Sequence, residues 1–154
     1  MNKSETRGFC IVSPEHRAYP DKEIILPKRA TAKSACYDIY SPIDAVIYPG
    51  KIFKIQTDVC AYMQPDEVLL AFPRSSMGKH PVRLANTTGV IDADFAFNET
   101  NGGNMQVALH NLGNEPYTVH EGDRICQVMF TKYLIADDDH ADGVRTGGIG
   151  STGK

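Results

Sequence analysis

The segment GVIDADF, in the second half of the chain, places two acidic side chains two positions apart among apolar ones. Asp92 and Asp94 are framed by Val90, Ile91 and Phe95. A carboxylate that such neighbours hold rigid and partly out of water can act as a catalytic base. The alternative is a turn with two solvated acids, because Asp and Gly are common in turns. The segment alone leaves both interpretations open.

The glycine-rich end of the chain carries groups suited to binding phosphate. Arg145, Ser151 and Thr152 stand among glycines, so a guanidinium and two hydroxyls accompany accessible backbone N–H groups. A glycine-rich end with little to bury can equally be a flexible terminus. An acidic run at residues 137–139 precedes it and predicts a solvated linker.

The composition is that of one soluble globular domain. The chain has 154 residues, of which 42% are hydrophobic and 23% charged, and its net charge is -3. This balance gives no basic field for nucleic-acid binding, so an anionic substrate requires local arginines or a metal ion. The start, Met1 to Ser13, shows no apolar signal segment, and no apolar run reaches membrane-spanning length. We therefore expect an intracellular protein, cytoplasmic or nuclear, of cellular or viral origin, without nucleic-acid or membrane partners.

The cysteines and histidines favour neither disulfides nor a zinc site. Four cysteines are widely scattered and form no Cys-x-x-Cys pair, and the five histidines show no ligand spacing. We expect free thiols in a reducing compartment.

Short alternating segments predict an all-β fold. Apolar side chains occupy the odd positions from Phe53 to Met63, which predicts one half-buried strand after a Pro-Gly turn. Further strands are predicted at Glu67–Phe72, Met105–His110 and Arg124–Tyr133, and an edge strand at Ile24–Leu26. Nothing has sustained helical spacing, so the chain should form a β-sandwich or barrel.

One further candidate strand, residues 35–41, carries a single acid. Asp38 is either a functional carboxylate or a strand-end residue that caps a turn. At the other end of the chain the character changes at residue 136. We therefore divide the chain into a β domain, residues 1–135, and a linker with a C-terminal arm, residues 136–154.

Five separated segments resemble, in order and spacing, the five motifs of the trimeric deoxyuridine triphosphatases (dUTPases). The likeness covers roughly residues 24 to 154 and includes matching intervening segments such as Tyr48-Pro49-Gly50. The five segments are ACYD (residues 35–38), PRSSMG (73–78), GVIDADF (89–95), GDRICQ (122–127) and GGIGSTG (147–153).

The resemblance implies a distorted jelly-roll β fold and a homotrimer with three active sites shared between subunits. It also implies hydrolysis of dUTP to dUMP and pyrophosphate with Mg²⁺. The C-terminal arm would close over a neighbouring subunit's active site.

The resemblance also assigns roles. Asp92 matches the catalytic aspartate that activates the attacking water. Asp38 matches the acid that holds the metal through water, and Arg124 is expected in a structural ion pair. The phosphate-binding residues would be Arg74, Ser75, Ser76, Gln127, Arg145, Gly150, Ser151 and Thr152. The uracil and deoxyribose would contact Asn86, Gly89, Phe95, Gln106 and Ile149, with a hairpin from Asn86 to about Gln106 reading the base through its backbone.

Four features depart from the family pattern. Cys36 replaces a glycine, and would be strained if that position has positive φ. Ile149 replaces an aromatic residue that stacks on the base, and the spacing from Arg145 to Ile149 is one residue short. The segment Phe97–Asn104 is roughly six residues longer than the pattern. It is either a longer hairpin tip, which we expect to leave turnover unchanged, or an element that reaches the base pocket or a neighbouring subunit.

Two other functions share part of this residue set. A dCTP deaminase would share Arg74-Ser75-Ser76 but needs a glutamate base within Met105–His110, where there is none. A nucleotide-sensing or protein-binding module with weak catalysis would explain Cys36, Ile149 and the longer loop. The presence of Asp92, Asp38 and the phosphate-binding set favours the hydrolase.

Overall fold

The structure is a computed structural model that describes residues 6–145 and 147–148. Within them the chain forms antiparallel strands and three short 3₁₀ helices, at Pro14–His16, Ser75–Lys79 and Ala93–Phe95, which confirms the all-β prediction. The strands are β1 (Gly8–Ile11), β2 (Tyr37–Tyr40), β3 (Ala45–Ile47), β4 (Ile52–Gln56), β5 (Val59–Tyr62), β6 (Glu67–Phe72), β7 (Val82–Leu84), β8 (Gly89–Asp92), β9 (Gln106–Asn111), β10 (Tyr117–Val119) and β11 (Arg124–Lys132).

The strands are arranged in four open sheets around one core. The largest sheet has the order β2-β11-β6-β8, a second has the order β4-β9-β7, and β1-β5 and β3-β10 form two-stranded ribbons. Strands of all four sheets contribute to one apolar cluster, with Ile39, Ile47, Ile55 and Leu69 among its most buried members. Antiparallel sheets that share one core in this way form the expected distorted jelly-roll sandwich.

The single strand predicted from Phe53 to Met63 is in fact two strands. β4 pairs with β9, whereas β5 pairs with β1, so the chain passes from one sheet to another between them. At the break Asp58 has φ +56°, a left-handed conformation that aspartate tolerates better than most residues. Its buried carboxylate accepts hydrogen bonds from the backbone N–H groups of Ala18, at 2.8 Å, and Tyr19, at 2.9 Å. The alternation in the sequence continues across the break and therefore conceals it.

Two further predictions of local structure were wrong. Residues 24–26 form no strand, although Ile24 is buried; the strand of this region is β1, which lies earlier and pairs with β5. The segment from Asn86 to Gln106 is not one hairpin, because β8 pairs with β6 whereas β9 pairs with β4 and β7. In both cases the pairing partner is distant in sequence, and local patterns do not encode it.

All four cysteines are free, as expected. Burial raises the pKa of both Cys60 and Cys126 to about 12, so these two thiols stay protonated at neutral pH. After β11 the described residues, up to Gly148, form no strand; the division at residue 135 remains a prediction. In residues 6–145 and 147–148 there is no helix with the length and hydrophobicity needed to cross a membrane.

Candidate active site

Strand register brings three of the predicted site residues together. Asp38 on β2 lies opposite Gln127 on β11, which in turn lies opposite Phe72 at the end of β6. Arg74 follows two residues later, and its Nε donates to Asp38 Oδ1 at 2.7 Å. Gln127 Nε2 donates to the carbonyl of Pro73 at 2.9 Å. Residues that are far apart in sequence thus form one polar cluster at this end of β6.

Asp38 is a buried carboxylate in the middle of a strand, not a turn cap. Its second oxygen faces Nη1 of Arg124 at 3.4 Å, which is the ion pair expected for that arginine. A buried charge needs such partners, because an unpaired one is strongly destabilising. A carboxylate offers about four lone-pair sites, so Asp38 retains capacity to accept a hydrogen bond from water.

The two serines predicted to bind phosphate lie beside this cluster. Ser75 and Ser76 begin the 3₁₀ helix that follows Arg74, and both are exposed. Arg74 Nη1 donates to Ser76 Oγ at 3.1 Å. Cys36 introduces no left-handed strain at the start of β2, because positive φ in described non-glycine residues is confined to Asp58, Thr87 and Phe97.

The residues predicted to contact base and sugar line one cavity of about 530 Å³. Asn86, Gly89, Phe95 and Gln106 all contribute to its wall, and most of the remaining lining is apolar side chain or strand backbone. Gly89 is closely packed here, since a Cβ at this position would lie 3.0 Å from the Cβ of Ala71 and would need that side chain to shift. The cavity has the size and apolar character of a small-molecule site.

Asp92 lies at this cavity, at the end of β8 and immediately before the 3₁₀ helix. Its side chain is 55% exposed, and the neighbouring Val90 is 63% exposed. The partial desolvation predicted from the apolar neighbours is therefore absent in a single chain. Alternation along β8 places Val90 and Asp92 on one face, and both side chains stay more than half exposed among the described residues.

Arg145 of the C-terminal arm binds both acids of the GVIDADF segment. Its Nη2 donates to Asp92 Oδ2 and its Nε to Asp94 Oδ1, each at 2.7 Å. The guanidinium carbon lies 5.8 Å from the centre of the Phe95 ring, and the Arg145 side chain is only 9% exposed. The short spacing to Ile149 therefore does not prevent Arg145 from reaching Asp92.

Four predicted site residues lie outside the described residues: Ile149, Gly150, Ser151 and Thr152. Their roles, and the crossing of the arm to a neighbouring subunit, remain predictions. The described part of the arm, Arg145 with Gly147 and Gly148, lies against residues of its own chain.

The phosphate-binding cluster and Asp92 lie at opposite ends of β6, and the cavity extends along the strand between them. Asp92 is opposite Val68, whereas Gln127 is opposite Phe72. A rise of about 3.3 Å per strand residue separates these two levels by about 13 Å. Arg74 lies still farther along the chain, so one chain does not bring Arg74 and Asp92 into a single site.

Comparison with known proteins identifies the family. A sequence model described as dUTPase matches residues 22–153. The chain belongs to the dUTPase family. A deoxyuridine 5'-triphosphate nucleotidohydrolase from Lactococcus lactis subsp. lactis (strain IL1403) is 40% identical over 150 residues, which cover 96% of this chain and 97% of that protein.

Solved dUTPase structures share the fold. The crystal structure of the dUTPase from Streptococcus mutans has a TM-score of 0.74 and 34% identity, and the match covers 84% of this chain and 98% of that one. The structure of a mutant dUTPase from phage phi11 of S. aureus, which shows the coordination of a structural Mg(II) ion, has a TM-score of 0.68 and 20% identity. This match covers 90% of this chain and 98% of that one. The jelly-roll fold of the dUTPase family is thereby confirmed.

The described residues offer few ligands for the expected metal ion. They contain no group of three histidine, cysteine or acidic side chains that could enclose a metal. Asp38 lies beside Arg74 and Gln127, and Arg74 and Arg124 occupy part of its oxygens. Such a donor set fits a Mg²⁺ ion that keeps its waters and is held mainly by substrate phosphates.

Sequence reasoning noted Asp94 but gave it no role, and it missed the contacts of Asn101. Asp94 supplies one of the two hydrogen bonds that hold Arg145, and Asn101 contacts the arm at Gly148. The Asp-x-Asp spacing was a usable signal for Asp94, since two carboxylates at that distance can share one guanidinium. No local pattern marks Asn101.

Proposed function

We propose that this protein hydrolyses dUTP to dUMP and pyrophosphate, through attack of water on the α-phosphorus. One observation carries the proposal: Asp92 lies at the nucleoside-sized cavity and is bound by Arg145, the first cation of the arm. A candidate base, a phosphate-binding cation and a cavity for a base and sugar are therefore adjacent. The family to which the chain belongs, and its relatives named for this reaction, support the same conclusion.

Asp92 acts as the general base. A base must lie within hydrogen-bond reach of the proton that it removes, and Asp92 lines the cavity with more than half of its side chain exposed. In the free chain Arg145 occupies one carboxylate oxygen. A bound triphosphate offers this guanidinium a stronger anionic partner, which frees the Asp92 oxygen to receive the proton of the attacking water.

The phosphate chain is bound by donors at the other end of β6. Arg74, Ser75, Ser76 and Gln127 present guanidinium, hydroxyl and amide donors on one side of the cluster around Asp38. Preorganised donors of this kind stabilise charge that develops on the leaving pyrophosphate. We assign Gly150, Ser151 and Thr152 of the arm to the same task on the basis of the family resemblance.

Asp38 would hold a Mg²⁺ ion through water. When bound, the ion neutralises triphosphate oxygens and draws charge from the leaving group. Asp38 can accept hydrogen bonds from the waters of such an ion while Arg74 and Arg124 fix its orientation. The structural Mg(II) ion of the phage phi11 protein supports the use of a divalent cation in this fold.

The cavity favours a 2′-deoxyribose and a small base. Phe95 is buried in the wall and would lie against the sugar, so that a ribose 2′-hydroxyl would be desolvated without a partner. Asn86, Gly89 and Gln106 supply backbone and amide groups for the uracil, and Ile149 of the arm would cover it.

A homotrimer would complete the active site. One chain leaves Asp92 and Arg74 at opposite ends of β6 and exposes Val90 beside the catalytic acid. An interface that brings Arg74 of one copy to Asp92 of another would join the two groups in one site and would also cover Val90. A symmetric assembly does so three times with the same interface.

The test is release of pyrophosphate from dUTP, dCTP, dTTP and UTP in the presence of Mg²⁺. We expect rapid release from dUTP alone, and a loss of at least about a thousandfold in Asp92→Asn, because the amide cannot accept the proton. The matched control is Asp94→Asn, which keeps the base and should lose about tenfold or less.

Two results would contradict the proposal. Hydrolysis of dUTP at the wild-type rate by Asp92→Asn would exclude Asp92 as the base. Tight binding of dUTP without release of pyrophosphate by the wild-type protein would exclude the hydrolase and support a nucleotide-sensing module.

A further inference from the structure

Lys54 on β4 is a cation of the cavity wall that the proposed hydrolysis does not use. Among the described residues the only other cation that lines the cavity is Arg145, which binds Asp92 and Asp94. Within residues 6–145 and 147–148, by contrast, no ion pair or side-chain hydrogen bond involves Lys54. A compact ammonium group at the edge of a largely apolar cavity is therefore available to a ligand.

The sheet places Lys54 in line with the wall predicted to contact the base. Lys54 lies opposite Ala108 on β9, and the carbonyl of Ala108 accepts a hydrogen bond from the backbone N–H of Ala85 at 2.8 Å. These three residues form one row across the sheet, and the row ends beside Asn86. All four residues line the cavity. Because neighbouring strands are about 4.8 Å apart, Lys54 lies about 10 Å from Ala85.

Small side chains leave a path along this row. Ile55 and Leu109 are buried in the core. Strand alternation therefore places their neighbours Lys54 and Ala108 on the opposite face of the sheet. A long side chain at Ala108 or Ala85 would block that face, but both residues carry only a methyl group. The flexible four-carbon stem of Lys54 can thus extend along the row towards the loop that follows β7.

The proposed nucleotide orientation brings one end of the base to this row. Phe95 ends the 3₁₀ helix that begins directly after Asp92, so the sugar site adjoins the catalytic acid. The base then extends away from Asp92 towards Gly89 and Asn86, which are close neighbours, since a Cβ at Gly89 would lie 3.7 Å from Asn86 Nδ2. In a pyrimidine nucleoside, C4 lies across the ring from the nitrogen that carries the sugar. The substituent at C4 is therefore the group that points towards Lys54.

We propose that Lys54 selects uracil over cytosine by donating a hydrogen bond to the carbonyl oxygen at C4 of the base. Uracil, like thymine, has an acceptor at this position, whereas cytosine has an amino group, which is a donor. A lysine ammonium has three donors and no acceptor, so it binds the uracil oxygen and makes no hydrogen bond to the amino group. A site that leaves polar groups unpaired rejects the wrong ligand strongly. This inference rests on the proposed function, because it names a base-reading side chain of the same site.

The experiment measures binding of dUMP and dCMP to the full-length protein by isothermal titration calorimetry. The two ligands share the sugar and the phosphate, so a change in their relative affinity reports on the base alone. Lys54→Met removes the ammonium and keeps an unbranched side chain. Lys51→Met is the matched control, because it makes the same change at an exposed lysine that does not line the cavity.

We expect the dissociation constant of dUMP to rise about tenfold in Lys54→Met, because a hydrogen bond to a charged group is lost. The dissociation constant of dCMP should change by less than about twofold, and Lys51→Met should bind both ligands as the wild type does. Lys54→Arg keeps donors without an acceptor and should retain most of the preference for dUMP.

Kinetic and thermal measurements complete the comparison. The ratio of kcat/KM for dUTP to kcat/KM for dCTP should fall about tenfold in Lys54→Met, mainly through a higher KM for dUTP. Lys54 is exposed and has no side-chain partner among the described residues. The unfolding temperature should therefore stay the same in all three variants.

An equal loss of affinity for dUMP and dCMP in Lys54→Met would overturn the proposal, because Lys54 would then bind the phosphate. Unchanged affinity for both ligands would overturn it as well. Neither result requires turnover. A wild-type protein that prefers dUMP to dCMP but does not hydrolyse dUTP would refute the proposed function and leave the binding comparison intact.

Discussion

Arg145 is one cation shared by two carboxylates, and the two contacts differ in their use. Asp92 must give up its hydrogen bond to Arg145 when it acts as a base, whereas Asp94 has no such task. The Nε contact with Asp94 can therefore keep the guanidinium in place while Nη2 turns from Asp92 to a phosphate. Two acids with a single arginine also leave a net negative charge, so the free site does not retain anions strongly.

Another residue, Glu67, makes stability depend on pH. Its buried carboxylate accepts from Arg7 Nε at 2.8 and 3.0 Å and from the backbone N–H of Gln64 at 3.1 Å. The hydrogen bond from Arg7 holds the pKa of Glu67 below its ordinary value of 4.5. Because the pKa of Glu67 is lower in the folded state than in the unfolded state, its ionisation stabilises the folded protein at pH values above the unfolded-state pKa. This stabilisation is lost as the pH falls through the folded-state pKa.

We expect the unfolding temperature of the wild-type protein to fall more steeply than that of Glu67→Gln below about pH 4.5. The measurement is thermal unfolding between pH 3 and pH 6, at about one-unit steps. Glu121→Gln is the control, since its partner Lys22 forms an exposed pair that contributes little. Parallel pH profiles for wild type and Glu67→Gln would contradict this role.

At the scale of elements, the conformation of the loop at residues 97–104 depends on one glycine. Gly103 has φ +76°, and a Cβ there would lie 2.7 Å from Cys60 Sγ and 2.9 Å from the backbone nitrogen of Phe97. Gly50 has a similar φ of +71° but nothing within 4 Å. Substituting both glycines therefore separates the cost of backbone strain, which the two positions share, from the cost of a steric clash, which arises only at Gly103.

Gly103→Ala should lower the free energy of unfolding by about 3 kcal/mol or more, and Gly50→Ala by about 1 kcal/mol. Denaturant titration measures both values. The result that contradicts this account is an equal loss in the two variants, which would mean that the loop at residues 97–104 moves aside at no energetic cost.

The strands that the sequence predicted well are those that stay within one sheet over their whole length. Glu67–Phe72 and the strand that begins at Arg124 are of this kind. The alternation from Phe53 onward continued across the break at Asp58, whose left-handed backbone is stabilised by contacts with Arg17, Ala18 and Tyr19. Such long-range contacts leave no local pattern, and the same holds for the contacts of Asn104 with Asp58 and His16.

At the scale of the whole molecule, a single chain contains the parts of an active site but not their final arrangement. The sequence was sufficient to select these parts, because residue types such as Asp92 and Arg74 occur at family spacing. It was insufficient to show that Arg145 already binds Asp92, or that β6 separates the two halves of the site. Both facts depend on tertiary packing.

The central claim is that a dUTP-hydrolysing site is formed between copies of the chain, and mixed assemblies test it directly. Asp92→Asn and Arg74→Gln should each be inactive alone. When the two variants are coexpressed, some sites combine the intact Asp92 of one copy with the intact Arg74 of another. For random mixing in a symmetric trimer, about a quarter of the sites are intact in this way.

We predict that the coexpressed mixture releases pyrophosphate from dUTP at about a quarter of the wild-type rate. Size-exclusion chromatography of each variant checks that assembly is unchanged. A mixture as inactive as its two components, with assembly intact, would show that Asp92 and Arg74 act within one chain and would contradict the shared site.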